Sequence, residues 1–318
     1  MQTVKVRCIE NQAAGINTYE FVDPAGKPLP PFTAGAHLDV HLPGGFIRQY
    51  SLCNSPHERD RYVIGVLNVA DGRGGSRSLH NNVKAGDLLQ ISEPRNHFPV
   101  VDTAQRHLLI GGGIGVTPMM AMLEHFEASG ADYILYYCGE TPERTAFKER
   151  LSPLLGKRVV IHYDGGDPAR RLNIRELLMH HQPGTHVYCC GPTGLMAGVK
   201  AAAEHWPQGT VHFEHFAAPI TPLSTSSSTE SDSEFQITLA RSGQTLDVPS
   251  SKSIAQALRD AGLPCETSCE AGICGTCKTR FIDGEVDHRD FILSDDEKQD
   301  HLLICCSRSR SSLLVLDL

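Results

Sequence analysis

Residues 269–277 read Cys269-Glu-Ala-Gly-Ile-Cys274-Gly-Thr-Cys277, and the pair Cys305-Cys306 follows near the C-terminal end. C-x4-C-x2-C with a distant fourth cysteine is the plant-type [2Fe-2S] spacing, in which three thiolates from one short loop and a fourth from a returning segment converge on two irons. Gly272 and Gly275 stand where a backbone must hug such a cluster. A structural zinc site usually builds from two separated short-spaced pairs. Here only Cys274 and Cys277 form such a pair, so the spacing favours the cluster. Cys265 is surplus to it and reads as a small buried side chain.

With 318 residues the chain can hold two or three domains with real cores. Its usage, 40% hydrophobic and 21% charged, is that of ordinary globular proteins, and a net charge of −8 argues against nucleic acid as a partner. The opening MQTVKVRCIE has no apolar leader region, and no stretch approaches transmembrane length. The eleven cysteines are therefore expected to be reduced or metal-bound in the cytoplasm, with no membrane association.

The stretch 217–233, AAPITPLSTSSSTESDS, is rich in Ser, Thr and Pro and reads as an exposed linker. It sets off residues 234–318, which hold the cluster motif. The part before it changes character near Gln105. Over 1–104, short alternating runs such as HLDVHL and RYVIGVLNV are punctuated by turn signals, which predicts an antiparallel β-barrel. Over 105–216, apolar runs (HLLIGGGIG, YILYYC, VVIHY, HVYCCGP) alternate with helical segments, which predicts a parallel α/β sheet.

Two turns in that sheet carry chemistry. His107–Ile110 leads into Gly111-Gly-Gly113-Ile-Gly115-Val-Thr117-Pro118, with Thr117 expected as helix N-cap, Pro118 as first helical residue and Gly130 past the end. Small residues let the backbone approach a pyrophosphate whose charge meets the helix N-terminus, although such a turn can also serve packing alone. The second turn, Cys190-Gly191-Pro192-Thr193-Gly194, places small residues at the end of another strand of the same sheet. In the barrel part, Arg48-Gln49-Tyr50-Ser51 puts a cation and an aromatic ring on one strand face. Gly72-Arg73-Gly74-Gly75-Ser76-Arg77-Ser78 supplies N–H groups, hydroxyls and cations suited to a phosphate monoester, or else a solvated hairpin loop.

Together, in this order, R-x-Y-S, G-R-G-G-S-R, G-G-G-I-G-V-T-P, C-C-G-P and the terminal cluster loop resemble the phthalate dioxygenase reductase and vanillate O-demethylase reductase family over nearly the whole chain. The resemblance implies a flavin β-barrel, a nicotinamide domain and a C-terminal plant-type ferredoxin of α+β type, as one monomer. It implies an enzyme that takes hydride from NADH onto FMN and passes single electrons through the [2Fe-2S] cluster to a Rieske non-haem iron oxygenase acting on an aromatic acid. Carried over by position, Arg48, Tyr50 and Ser51 bind the flavin, and Gly74, Gly75 and Ser76 its phosphate. Thr117 lies near the flavin and nicotinamide rings. Gly111, Gly113, Gly115, Cys190, Gly191 and Pro192 belong to the nucleotide motifs, with Cys190 beside the reacting C4. Cys269, Cys274, Cys277 and Cys305 ligate the cluster, Cys305 being favoured over Cys306 by the family's register before Ser-Arg. Glu140 offers itself to a ribose hydroxyl, while Arg144 could instead meet a 2′-phosphate, leaving NADPH open beside the NADH the family implies.

Hydride transfer needs no general acid or base, so none of the sixteen histidines is assigned a catalytic role. The acidic run from Asp283 to Asp300 reads either as a solvated face or as a docking surface for a basic partner, with Asp295 and Asp296 the residues to test. Competing readings are a reductase for a cytochrome P450 or diiron oxygenase, and a redox-sensing iron-sulfur protein.

Overall fold

The protein is described from a computed structural model that covers residues 1–72, 74–216 and 233–318. Arg73, and the expected linker except for Ser233, lie outside the described residues. The chain divides into two compact units, the first being Met1–Phe216.

The first unit opens with strands β1 (Gln2–Ala13), β2 (Ile16–Val22), β3 (His37–Leu42), β4 (Phe46–Ser51) and β5 (Tyr62–Leu67), then helix α1 (Gly75–Asn82) and β6 (Leu88–Ile91). They form one antiparallel sheet in the order β4-β3-β6-β1-β2-β5. Period-two alternation drives it. Val4 and Val6, Tyr19 and Phe21, Leu38 and Val40, and Tyr62, Ile64 and Val66 all point into one core. The edge strands meet just past β4, at the bridge Leu52–Ile64 and the 2.9 Å bond from Cys53 N–H to the Val63 carbonyl, so the barrel is only partly closed.

The chain continues as β7 (Arg106–Gly112), α2 (Thr117–Ser129), β8 (Asp132–Gly139), the one-turn helix α3 (Lys148–Leu151), β9 (Val159–Tyr163), the one-turn helix α4 (Ile174–Leu177), β10 (Thr185–Cys190), α5 (Thr193–Ala202) and β11 (Val211–Glu214). All five strands are parallel, in the order β11-β10-β7-β8-β9. The central strands β7 and β10 are buried on both faces, and the edge strands β9 and β11 are only half-buried. Leu109, Leu135 and Val159 pack with α2, while Leu108, Ile110 and Val187 pack with Met196 and Val199 of α5.

Helix α2 is buried along most of its length. Ala121 packs into the barrel core, whereas Met119, Met120, Met122, Leu123 and Phe126 share a second core with Ala13, Ile16, Ala34, Cys53 and Phe98 from the barrel side. The change of sheet near Gln105 therefore falls inside a continuous core. Gly130 ends α2 as expected, with φ 72° and its N–H on the Phe126 carbonyl. Thr117 is not the N-cap. A 3-10 turn over Gly113–Val116 already coils the chain, Thr117 is itself helical, and its hydroxyl donates back to the Ile114 carbonyl at 2.9 Å.

The second unit holds β12 (Phe235–Leu239), β13 (Thr245–Val248), α6 (Ile254–Asp260), β14 (Lys278–Asp283), β15 (Val286–Asp287), β16 (His301–Leu303), β17 (Arg308–Ser309) and β18 (Leu313–Leu316). Its main sheet runs β13-β12-β18-β14-β16, with only β12 and β18 parallel, and β15 pairs with β17. Ser253 caps α6 by accepting the Gln256 N–H at 3.2 Å. The helix lays Ile254, Ala255, Ala257 and Leu258 on Phe235, Ile237, Leu314 and Leu316.

Inside the first unit, His107 is 2% exposed and stacks on Phe126 with ring centroids 4.2 Å apart. Burial lowers its pKa from 6.5 to about 4. An imidazole that must be neutral in the fold but protonates when unfolded stabilises fully above the unfolded value. That stabilisation is lost as pH falls from about 6.5 towards about 4. His107→Phe keeps the stack and removes the proton site. The wild type should lose stability relative to this variant across that window, by on the order of 3 kcal/mol, in urea unfolding series at each pH.

Candidate cofactor and electron-transfer sites

On β4, Phe46, Arg48 and Tyr50 share one face, and the Arg48 guanidinium lies 5.4 Å from the Phe46 ring centroid. Against this face comes the start of α1. A Cβ built on Gly75 would stand 2.4 Å from Arg48 Cγ, and one on Gly74, which has φ 84°, 2.9 Å from the Phe46 ring. The expected loop is thus the first turn of a helix, entered through the left-handed Gly74. Its free N–H groups sit beside Arg48, a fit for a phosphate. Ser76 Oγ accepts the Val69 N–H and closes the turn, and Arg77 is exposed. The Tyr50 phenol is pushed up by burial, so it stays protonated.

The two glycine turns of the parallel sheet touch each other. Strand β10 runs beside β7 with Cys190 opposite Gly111. A Cβ on Gly115 would lie 2.4 Å from the Cys190 carbonyl oxygen, and one on Gly191 3.0 Å from Gly112 Cα. Pro192 caps α5 and abuts Gly112, and Gly113 takes φ 54° at the start of the 3-10 turn. Thr117 is buried, facing Gly65 of β5. This is the carboxyl edge of the strands, where open α/β sheets take ligands.

Glu140 follows β8 on the same edge, two strands from Cys190 or about 10 Å at about 4.8 Å per strand. Its Oε2 accepts Arg144 Nη1 at 2.8 Å, with both side chains about half exposed.

Sequence reading missed the group that joins the sheets. Glu214 ends β11 opposite Cys190, and Ser51, at the end of β4, donates its hydroxyl to Glu214 Oε2 at 3.2 Å. His37, opposite Ser51 on β3, places Nδ1 4.0 Å from Glu214 Oε1. Charge attraction would make an ion pair, but burial dominates both partners. It raises the Glu214 carboxyl from 4.5 to about 8 and lowers His37 from 6.5 to about 3, so at neutral pH the pair is mostly uncharged. The Cys190 thiol is pushed well up by burial and then by Glu214. The only sequence signal for Glu214 is an acidic residue closing an apolar strand, which does not reveal a partner 163 residues away.

In the second unit the cluster loop meets Cys305. The Cys269 thiol contacts Cys274 and Cys305, and Cys277 contacts Cys305. Cys305 is drawn towards its thiolate by Cys269, then Cys277 and Cys306, with the Gly272 N–H also on its sulfur. Cys306 touches Cys305, and its Sγ leans on the Leu303 carbonyl at 3.7 Å. Gly272 has φ 72°, and a Cβ there would lie 2.8 Å from Cys306 Sγ. Among the described residues no three Cys, His, Asp or Glu side chains are grouped to hold a single ion. Contact of Cys305 with both Cys269 and Cys277 brings the returning segment onto the loop, as the two-iron spacing requires. Cys265 stays apart, half-buried, with its thiol on the Ala255 carbonyl.

The acidic run is largely tied down. Asp290 accepts the Ile292 and Leu293 N–H groups, Asp287 pairs with Arg289, Glu297 with Lys278, and Asp300 lies 2.6 Å from His301. Asp295 and Asp296 are exposed.

Known proteins agree with this layout. Residues 109–201 match the oxidoreductase NAD-binding domain and residues 237–310 the 2Fe-2S iron-sulfur cluster binding domain. The fold and site thus define an electron-transferring oxidoreductase that joins a nucleotide-binding unit to an iron-sulfur module. The chain is 46% identical to the reductase subunit of tert-butanol monooxygenase / tert-amyl alcohol desaturase from Aquincola tertiaricarbonis, over 99% of this chain and 95% of that one. It is 46% identical to the phthalate 4,5-dioxygenase reductase subunit of Pseudomonas putida, over 96% and 93%. The solved phthalate dioxygenase reductase, described as a modular structure for electron transfer from pyridine nucleotides to [2Fe-2S], matches with a TM-score of 0.74 at 43% identity, covering 99% of this chain and 97% of that one. The chain belongs to the phthalate dioxygenase reductase and vanillate O-demethylase reductase family. Among the described residues no helix is long and apolar enough to cross a membrane.

The Gly115–Cys190 approach sets a direct test. Gly115→Ala must displace the Cys190 carbonyl, so it should cost about 1–3 kcal/mol in urea unfolding and weaken retention on an immobilised NAD analogue.

Proposed function

We propose that this protein takes hydride from NADH onto FMN and delivers single electrons through the [2Fe-2S] cluster to a Rieske-type terminal oxygenase. The observation that carries this reading is the Ser51–Glu214 bond, which brings the end of the flavin-motif strand onto the nucleotide edge beside Cys190. FMN, when bound, supplies the conversion of a two-electron donor into one-electron steps.

Arg48 and the first N–H groups of α1 at Gly74, Gly75 and Ser76 hold its phosphate, while Tyr50 packs a ring and Ser51 offers its hydroxyl. Gly111, Gly113, Gly115, Gly191 and Pro192 let the pyrophosphate approach the sheet. Cys190 and Thr117 flank the reacting atoms, their burial excluding water from the transfer. Glu140 takes a ribose hydroxyl. In this reading NADH is the donor, with Arg144 held on the Glu140 carboxylate. Residues 1–104 serve the flavin, 105–216 the nucleotide, and 234–318 the cluster, after a linker at 217–233. Cys269, Cys274, Cys277 and Cys305 are the cluster ligands. Cysteines without disulfides suit a protein working in the reducing cytoplasm, and one chain that carries all three modules suits a monomer.

Anaerobic titration with NADH should bleach flavin and iron-sulfur absorbance together, with NADPH far less effective, and no response to either nucleotide would sink the reading. Cys305→Ser should lose iron and acid-labile sulfide, whereas Cys306→Ser should keep both. Reversing the charges of Asp295 and Asp296 should slow transfer to the oxygenase at low salt and leave it unchanged at high salt.

A further inference from the structure

Glu214 is a carboxyl placed where a charge is about to arrive. It ends β11 directly beside Cys190, on the edge that takes the nicotinamide in the reading above, on which this inference rests. The described groups that meet it come from three strands. From β4 comes the Ser51 hydroxyl, from β10 the Cys190 thiol, and from β3 His37. Behind His37 lie His97, whose ring centroid is 5.4 Å away, and the Arg95–Asp39 pair at 2.6 Å. Arg95 is thus already matched by a carboxylate, and His37, lowered to about 3, carries no charge at neutral pH. With burial as the larger effect, Glu214 keeps its proton up to about pH 8.

The two forms of the nucleotide differ at the ring. NADH has a neutral dihydropyridine, and NAD⁺ a pyridinium cation. A cation beside a buried carboxyl favours its ionised form. We infer that Glu214 is a charge-compensating acid of the nucleotide site, which gives up its proton when the oxidised pyridinium lies against Cys190 and takes it back when that ring leaves. The O–H bond of the carboxyl breaks, the electron pair stays on Oε, and one proton passes to solvent for each NAD⁺ bound. The way out passes beside His37, which stays neutral 4.0 Å from the carboxyl. That histidine is 5% exposed, its Nε2 is buried without a hydrogen-bond partner, and His97 beside it is exposed.

By linkage, NAD⁺ must then bind more tightly as pH rises, by up to about tenfold per unit for a single released proton. Tetrahydro-NAD, whose ring is neutral and donates no hydride, should show no such trend. The test is isothermal titration of the oxidised holoenzyme with each nucleotide at pH 7, in two buffers of different ionisation enthalpy, repeated from pH 6 to pH 8. Release close to one proton with NAD⁺ and close to none with tetrahydro-NAD supports the inference, and Glu214→Gln should abolish the release while NAD⁺ still binds. The wild-type comparison needs no variant, so it decides even if Glu214→Gln fails to fold. Binding of NAD⁺ with no proton release, or with equal release from both nucleotides, overturns the inference while leaving the nucleotide site standing. No NAD⁺ binding at any pH overturns the nucleotide-site reading and this inference with it.

Discussion

The first unit depends on a contact that excludes a side chain, the approach of Gly115 to the Cys190 carbonyl. Any Cβ there would push β10 from the turn that follows β7, and with it the residues that β10 positions. Cys190 is opposite Gly111 on one side and Glu214 on the other, so the register of three parallel strands fixes the thiol and the carboxyl together. Glu214 then reaches Ser51, and through Ser51 the flavin-motif strand is fastened to the nucleotide edge. Apolar burial around α2 holds the sheets together, and the Ser51–Glu214 bond, with those from Arg150 to the Cys53 carbonyl and from the Ala14 N–H to the Glu143 carbonyl, sets alignment.

The second unit solves a different problem, since its loop must be brought to Cys305, which with Cys277 is part of that unit's core. Gly272, in the left-handed region, lets the loop turn tightly enough for its N–H to meet the Cys305 sulfur, and its carbonyl accepts the Phe291 N–H at 3.0 Å. The returning segment is anchored by Arg308, which donates to the carbonyls of Ser233, Pro249 and Lys252 and lies 5.1 Å from the Phe235 ring centroid. Arg308 is 6% exposed, an unusual depth for a guanidinium, and its satisfied donors offset that burial.

What could be read in advance follows the range of each interaction. The cluster loop was legible because its chemistry is written in local spacing, and the strands because alternation and apolar runs reflect which faces are covered. Adjacent Cys305 and Cys306 were separable only by register, because which thiol faces Cys269 and Cys277 is set by backbone direction after β16. Thr117 was misread as a cap because nothing local announces the 3-10 turn that takes up Gly113–Val116. Gly74 and Gly75 were legible as a turn but not as a helix entry, since no apolar periodicity marks α1. Glu214 and His37 were illegible altogether. Each is ordinary in its own segment, and both acquire their properties from burial where two sheets meet.

The overall exchange explains why the buried titratable pair sits where it does. Oxidation of one NADH yields NAD⁺, two electrons and one proton, and an iron-sulfur cluster carries the electrons alone. The loop around Cys269, Cys274 and Cys277 is built for that. Its sulfurs are met by N–H groups such as that of Ala271, 3.4 Å from Cys269 Sγ. Such donors stabilise negative charge without transferring a proton. In the first unit the arrangement is the reverse. Glu214 can hold a proton, Ser51 is hydrogen-bonded to it, and neutral His37 lies beside it with exposed His97 adjoining. Charge entering the first unit as a hydride can therefore be balanced by a proton moving within it, while the second unit is left to pass electrons only.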